Sequence, residues 1–342
     1  MGTQKMFLCG VSQWLNGRLK EWLKAHNTAV VFTCLVLISA LVSNVFLTLP
    51  NVFNLLRQVC TVGIMSMGML VVILTSGIDL SVGSVMALAS VITARTATMV
   101  PLPLALLAAL GVGIGAGAAN GYLVAKRHVA PFIATLALMT IARGLAFICS
   151  QGHPIRLPQS AFPLAAFARG YTLGLPRPAL LLVTAFAITA AILRYTVFGR
   201  LVIALGSNES AVRLSGINTK RHKFYAYAFC GVCAALAGIV STARTNVGSA
   251  EVGTGIELDV IAAVVIGGAS LSGGRGSALN TILGVLTLGV IANMMNLVNV
   301  PGYHQQIIKG AIIIAAVVLQ SSHGPINAFR SRAHSPPAAP RP

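Results

Sequence analysis

Residues 74–85 read Leu-Thr-Ser-Gly-Ile-Asp-Leu-Ser-Val-Gly-Ser-Val, a polar break between two long apolar runs. Those runs are long enough to cross a bilayer, and a carboxylate at the centre of such a helix costs about 2.5–3.5 kcal/mol on insertion scales. Asp79 must therefore face protein, water or a solute path rather than lipid. Gly77 and Gly83, together with Thr75, Ser76, Ser81 and Ser84, loosen the helix at this point. An interrupted helix at membrane depth is tolerated where protein buries it or where it lines a cavity. The same residues also suit a tight turn in which Asp79 caps the following helix, and the two expectations are compatible.

Around this stretch the chain has 342 residues, of which 56% are hydrophobic and 9% charged. Its mean hydropathy is +0.84. A soluble domain carries about 25% charged residues, so the composition specifies an integral membrane protein. Few aromatics and long apolar runs argue for an all-α polytopic membrane bundle over a barrel with short alternating strands. At about 20 residues per crossing the runs give about ten spans, some broken or re-entrant: 28–49, 56–75, 79–99, 102–125, 130–149, 178–195, 223–243, 257–272, 278–299 and 304–321. Residues 1–27, with Trp14, Leu15, Leu19, Trp22 and Leu23 at helical spacing, form a cytoplasmic amphipathic segment. A cleaved signal peptide is the rival expectation there. The transmembrane domain then covers 28–321, with a cytoplasmic loop at 196–222, and a proline-containing tail at 322–342 is expected to be disordered.

The net charge of +18 does not point to nucleic acid, because the 24 Lys and Arg fall mostly in short loops and not in an aromatic-studded patch. Their bias toward 126–127, 194–223 and the two termini predicts both termini inside. Such loops can also attract anionic lipid or an acidic cytoplasmic partner. Cys230 and Cys233 form a Cys-x-x-Cys pair, but inside an apolar helix with no second pair they are expected to pack, not to bind metal or exchange disulfides. Gly113, Gly117 and Gly121 recur every four residues and give a face for close helix approach.

Two further segments carry polar character. In 199–217, Ser207 or Asn208 can cap a short helix with Glu209 at its positive end, and Gly216 can end it. In 253–277, Glu257 and Asp259 enter an apolar helix loosened by glycines, and two residues apart they cannot share a helix face. Gly77-Ile78-Asp79-Leu80 is similar to Gly255-Ile256-Glu257-Leu258, which suggests equivalent points of two inverted halves beside one path. No phosphate-binding loop, Ser-His-Asp order, catalytic carboxylate pair or metal-ligand spacing occurs, so no catalytic or metal residues are assigned.

Residues 74–84, 204–217 and 257–268 with 270–276 resemble the permease subunits of bacterial ABC sugar importers, in order along most of the chain, with the ribose permeases most similar. Ile256, Val260 and Ser207 depart from residues common in that family. The resemblance implies an inner-membrane homodimer served by a separate cytoplasmic ATPase, which binds ATP and Mg, and by a periplasmic sugar-binding protein. It assigns coupling to the ATPase to Glu209, Ala211, Arg213 and Gly216. It assigns the translocation path or gate to Asp79, Ser81, Gly83, Ser84, Glu257, Asp259, Gly267 and Gly268.

A neutral polyol needs hydroxyl and amide partners but no fixed countercharge. Ser66, Thr75, Ser81, Ser84, Asn120, Thr135, Asn293 and Asn296 are candidates for that lining, each with packing or helix back-bonding as its alternative. A proton-coupled secondary transporter using Asp79, Glu257 or Asp259 is the rival function. It leaves the Glu209 helix without a role.

Overall fold

The computed structural model describes residues 27–322. The amphipathic segment and the tail expected at the two ends lie outside them. The fold is helical: α1 (Asn27–Val42), α2 (Leu49–Leu74), α3 (Val82–Thr96), α4 (Leu102–Ala125), α5 (Pro131–Ser150), α6 (Phe162–Arg169), α7 (Arg177–Tyr195), α8 (Val197–Leu214), α9 (Thr219–Thr245), α10 (Ile256–Ile266), α11 (Ala278–Leu297) and α12 (Gly302–Ser322). Four strands of two residues each form two short antiparallel pairs, β1 (Ile155–Arg156) with β4 (Val247–Gly248) and β2 (Tyr171–Thr172) with β3 (Leu175–Pro176).

Among the described residues, six helices are long and apolar enough to cross a membrane: α2, α4, α5, α7, α9 and α11. Several boundaries differ from those read off the apolar runs. Pro50, in the first turn of α2, starts that helix seven residues before position 56, because proline's fixed φ and missing N–H suit a helix start. The expected span 79–99 begins only at Val82. The expected span 257–272 stops at Ile266, where Gly268, Gly273 and Gly274 take positive φ that other residues resist. At 1.5 Å per residue, the 15 residues of α3 rise about 22 Å and the 11 of α10 about 16 Å, so neither crosses a core of about 30 Å alone. The 151–178 stretch between α5 and α7 holds α6 and three of the short strands.

The core is built on α2 and α9. Every residue of α2 from Gly63 to Leu74 is buried, as expected for a helix apolar on all sides. The Gly113, Gly117 and Gly121 face lies against α9: Cβ atoms there would stand 2.4, 2.4 and 2.8 Å from the carbonyl oxygens of Gly231, Tyr227 and Phe224. The backbones of α4 and α9 thus touch without intervening side chains. Cys230 and Cys233 are buried free thiols in the same packing; a Cβ at Gly68 would lie 2.9 Å from Cys233 Cβ.

Candidate functional site

The first break, 75–81, leaves α2 and returns into the bundle. Ser76 adopts a φ of 61°, and its hydroxyl donates to the carbonyl of Ser272 at 2.7 Å. Gly274 N–H donates to Leu74 O, so the loop after α10 is stitched to the end of α2. Gly206 of α8 packs on the same spot, since a Cβ on it would meet Leu74 O and Gly274 N. These contacts define one end of the bundle, the Gly206 end.

Asp79 is 1% exposed. Its Oδ1 accepts from Ser81 N–H at 2.9 Å, Ser81 Oγ at 2.6 Å and Asn120 Nδ2 at 3.2 Å, and Asn120 Nδ2 also donates to Ser81 Oγ at 2.9 Å. The buried Cys230 thiol faces the same carboxyl group. Tyr227 Oη donates to Ile78 O at 3.4 Å. Asp79 thus faces protein, as its sequence suggested, but it holds the turn ahead of α3 and does not cap that helix: the N-cap position is Ser81, and no side chain caps it. Among the described residues the ion pairs are Lys223–Glu209 and Lys309–Asp259, so no cation pairs with Asp79 there.

The second break, 246–255, enters from the opposite end. There Arg95 at the end of α3 donates to Cys149 O, and Leu157 N–H donates to Asn246 O beside the β1–β4 pair. The segment descends to Gly255, whose φ of 78° opens α10. Arg143, in the middle of α5, holds it by donating to the carbonyls of Ala250 and Val252, the latter at 2.9 Å, and Glu257 is the acidic group facing that guanidinium.

The two breaks meet. A Cβ on Gly83, second residue of α3, would stand 2.5 Å from both Gly253 O and Glu257 Oε2 and 3.1 Å from Ile256 Cγ2. The N-terminal ends of α3 and α10 therefore abut, and from that point the helices run to opposite ends of the bundle. Gly238, in the last third of α9, packs on Met86 O, about one turn along α3 from Gly83, so the meeting point lies inside the bundle and short of the end of α9. Helix N-termini carry partial positive charge, and the Glu257 carboxylate sits where both can act on it. Asp259 points elsewhere, to Lys309 Nζ at 2.8 Å, beside a cleft of about 100 Å³ lined also by Gln58 and Gly289. The two acids lie on different faces, as their spacing requires.

Other expected path residues lie apart from this centre. A Cβ at Gly267 would meet Asn280 O at 2.6 Å, so this glycine lets α10 pack on α11, whereas Gly268 meets nothing and serves the turn. Asn293 exchanges amide hydrogen bonds with Asn51 at 2.9 and 3.0 Å. Thr75 and Thr135 donate back to Val72 O and Pro131 O of their own helices. Ser81, Gly83 and Ser84 are buried at the meeting point, while the Ser66 hydroxyl is buried without a partner. Among the described residues no group of three His, Cys, Asp or Glu could hold a metal ion.

At the Gly206 end, α8 is two helices joined at Asn208, whose φ of −160° and ψ of 92° are extended. Asn208 Oδ1 accepts from Ala211 N–H at 3.0 Å, so Asn208 is the cap, while Ser207 back-bonds to Ile203 O. Gly216, at φ 78°, follows the end of the segment. Glu209, Ala211, Arg213 and Gly216 are exposed, and Glu209 pairs with Lys223 of α9 at 2.6 Å.

Residues 51–317 match the family model described as "Branched-chain amino acid transport system / permease component". The chain belongs to this family. The permease match takes in both breaks and the segment after Asn208. The chain is similar to the ribose import permease protein RbsC of Bacillus subtilis, 45% identical over 286 residues, 83% of this chain and 89% of that protein. It is 40% identical to RbsC of Escherichia coli K12 over 316 residues, 91% of this chain and 98% of that one. It is 38% identical to the L-arabinose transport system permease protein AraH of E. coli K12 over 296 residues, 86% of this chain and 89% of that one. No solved structure matches.

Several residues of this permease escaped the sequence reading. Arg143, Lys223 and Lys309 were visible as cations, but their partners lie 14 to 109 positions away in the chain. Leu214, 86% exposed at the tip of the capped segment, looks in sequence like any apolar helix residue.

Proposed function

We propose that the chain is the membrane-spanning subunit of an ATP-driven importer that moves a monosaccharide, ribose first among them, from periplasm to cytoplasm. The observation that carries transport is the meeting of two short helices at Gly83 and Glu257, because paired helix N-termini inside the bundle offer hydrogen-bond donors without a sealed helical wall. The relatives named for ribose and arabinose support a pentose over the amino acids of the family's description. A neutral polyol needs no countercharge, which agrees with Asp79 being hydrogen-bonded and Asp259 ion-paired within the chain.

In this reading the Gly206 end is cytoplasmic, and the segment from Asn208 to Gly216 docks on an ATPase subunit that binds ATP and Mg. Leu214 supplies the apolar contact and Arg213 a charge. A second copy of the permease completes the path through the inner membrane, and a periplasmic binding protein supplies the sugar. The subunit itself makes and breaks no covalent bonds.

The test is uptake of radiolabelled ribose into vesicles carrying the chain, with and without ATPase, binding protein and internal ATP, and with a proton uncoupler. Uptake that needs all three and ignores the uncoupler is the expected result. Uptake by the chain alone, abolished by the uncoupler, would instead establish a proton-coupled carrier.

A further inference from the structure

A cavity of about 420 Å³ opens at the Gly206 end between the last turn of α4 and the first of α9, lined by Lys126, Asn218, Lys220, Arg221, Phe224 and Tyr225. Three cations line it and no carboxylate does. The acids among the described residues are placed elsewhere: Glu209 on Lys223, Asp259 on Lys309, Asp79 and Glu257 in the two breaks, and Glu251 in the second-break loop. Neither Lys220 nor Arg221 has a side-chain ion pair or hydrogen bond there. Lys126 Nζ and Arg127 Cζ lie 5.4 and 5.5 Å from the centre of the Tyr122 ring.

The order of residue types along each helix is the second observation. On α4, Ile114, Ala118, Tyr122 and Lys126 follow at four-residue steps, with Ile114 49% and Tyr122 39% exposed. On α9, Arg221 stands one turn beyond Tyr225, which is 51% exposed. α4 thus presents apolar surface, then an aromatic, then a cation, as a membrane-crossing helix does where hydrocarbon gives way to headgroups, and α9 repeats the step from aromatic to cation. Asn218 Oδ1 accepts from Arg221 N–H at 3.2 Å and fixes the start of α9 so that Lys220 and Arg221 leave from its first turn.

We propose that this cavity binds the phosphate headgroup of an anionic phospholipid of the adjoining leaflet, with Lys126, Lys220 and Arg221 holding the phosphate and Phe224 and Tyr225 lying against the glycerol and first methylenes. Basic pockets between membrane helices are suited to such headgroups. An acidic protein surface would satisfy the cations but not the exposed Tyr225 and half-buried Phe224 at the same level.

The full-length chain, purified in mild detergent, is offered equal phosphatidylglycerol and phosphatidylcholine, and retained lipid is counted by native mass spectrometry. The wild type is expected to prefer phosphatidylglycerol. The triple variant Lys126→Gln, Lys220→Gln, Arg221→Gln is expected to lose about a hundredfold of that preference, at about fivefold per cation. Arg194→Gln, which removes a cation beside Tyr195 outside the cavity, should keep it, and size-exclusion profiles confirm that both variants fold. Equal preference in wild type and triple variant, or none in the wild type, overturns the proposal. So does displacement of the lipid by millimolar inorganic phosphate, which would make this a free-anion site. Loss of ATPase co-purification from the triple variant with lipid retention unchanged would assign the cations to a protein partner and overturn it as well.

Discussion

Gly115 and Gly117 lie two residues apart in α4 and face different worlds, so the same substitution at each isolates the helix contact on which the Asp79 turn depends. A Cβ at Gly115 meets nothing within 4 Å, whereas one at Gly117 would stand 2.4 Å from Tyr227 O and 2.8 Å from Ala228 Cα, all backbone. Ordinary contact begins near 3.4 Å, so Gly117→Ala must part α4 from α9 by about 1 Å. Both variants gain about 1 kcal/mol of helix propensity. Only Gly117→Ala also meets an overpacking cost of about 1–3 kcal/mol. The difference between the variants is therefore the packing cost alone, a few degrees in melting temperature. Asn120 lies one turn beyond Gly117, and parting the helices stretches its 2.9 and 3.2 Å hydrogen bonds to Ser81 and Asp79. A thiol-reactive fluorogenic dye reads unfolding in detergent through the buried Cys60, Cys230 and Cys233, in a background with Cys9, Cys34 and Cys149 changed to Ser. The expected order of stability is Gly115→Ala at or above wild type and Gly117→Ala below it. Equal melting of the two variants would refute the close approach of α4 and α9.

The other outcomes follow from the ion pairs and the Asp79 turn. Asp79→Ala removes the acceptor shared by Ser81 and Asn120 and should destabilise by about 2–4 kcal/mol, since each orphaned donor costs about 1–3 kcal/mol; Asp79→Asn, which keeps an acceptor oxygen, should lose less than half of that in the same melt. Glu209→Lys sets two cations against each other on an exposed pair worth under about 1 kcal/mol, so the melt should barely move while ATPase co-purification falls; normal assembly and ribose uptake would remove Glu209 from the docking surface. Lys309→Met leaves Asp259 without its partner and should cost more stability than the double change with Asp259→Leu, because a lone charge at this depth is worse than none.

The bundle was legible in sequence because apolar runs of crossing length and an every-fourth-glycine face are local signals. The face at Gly113, Gly117 and Gly121 met a helix as its spacing required, and Asn208 capped the segment that holds Glu209. Helix lengths were less legible. Leu258 to Ile266 reads as half of a full span, and only the positive φ at Gly268, Gly273 and Gly274 turns the chain aside. Pairings were the least legible: that Arg143 would hold the 250–252 backbone, or that Lys309 would meet Asp259, depends on which helices become neighbours, and no spacing in the sequence encodes that.

The likeness of Gly77-Ile78-Asp79-Leu80 to Gly255-Ile256-Glu257-Leu258 does not extend to their positions in the two helices. The two breaks do converge, yet Asp79 precedes its helix by three positions while Glu257 is the second residue of its own. By position in the helix the counterpart of Glu257 is Gly83, and these are the two that touch. The chemistry explains the asymmetry. Two helix N-termini brought together repel through their partial positive charges, and one carboxylate between them offsets both. A second carboxylate at position 83 would have no room and would meet the first as a like charge. Glycine at one start and glutamate at the other is thus what lets the two short helices abut, and Asp79 is left free to hold the turn behind them.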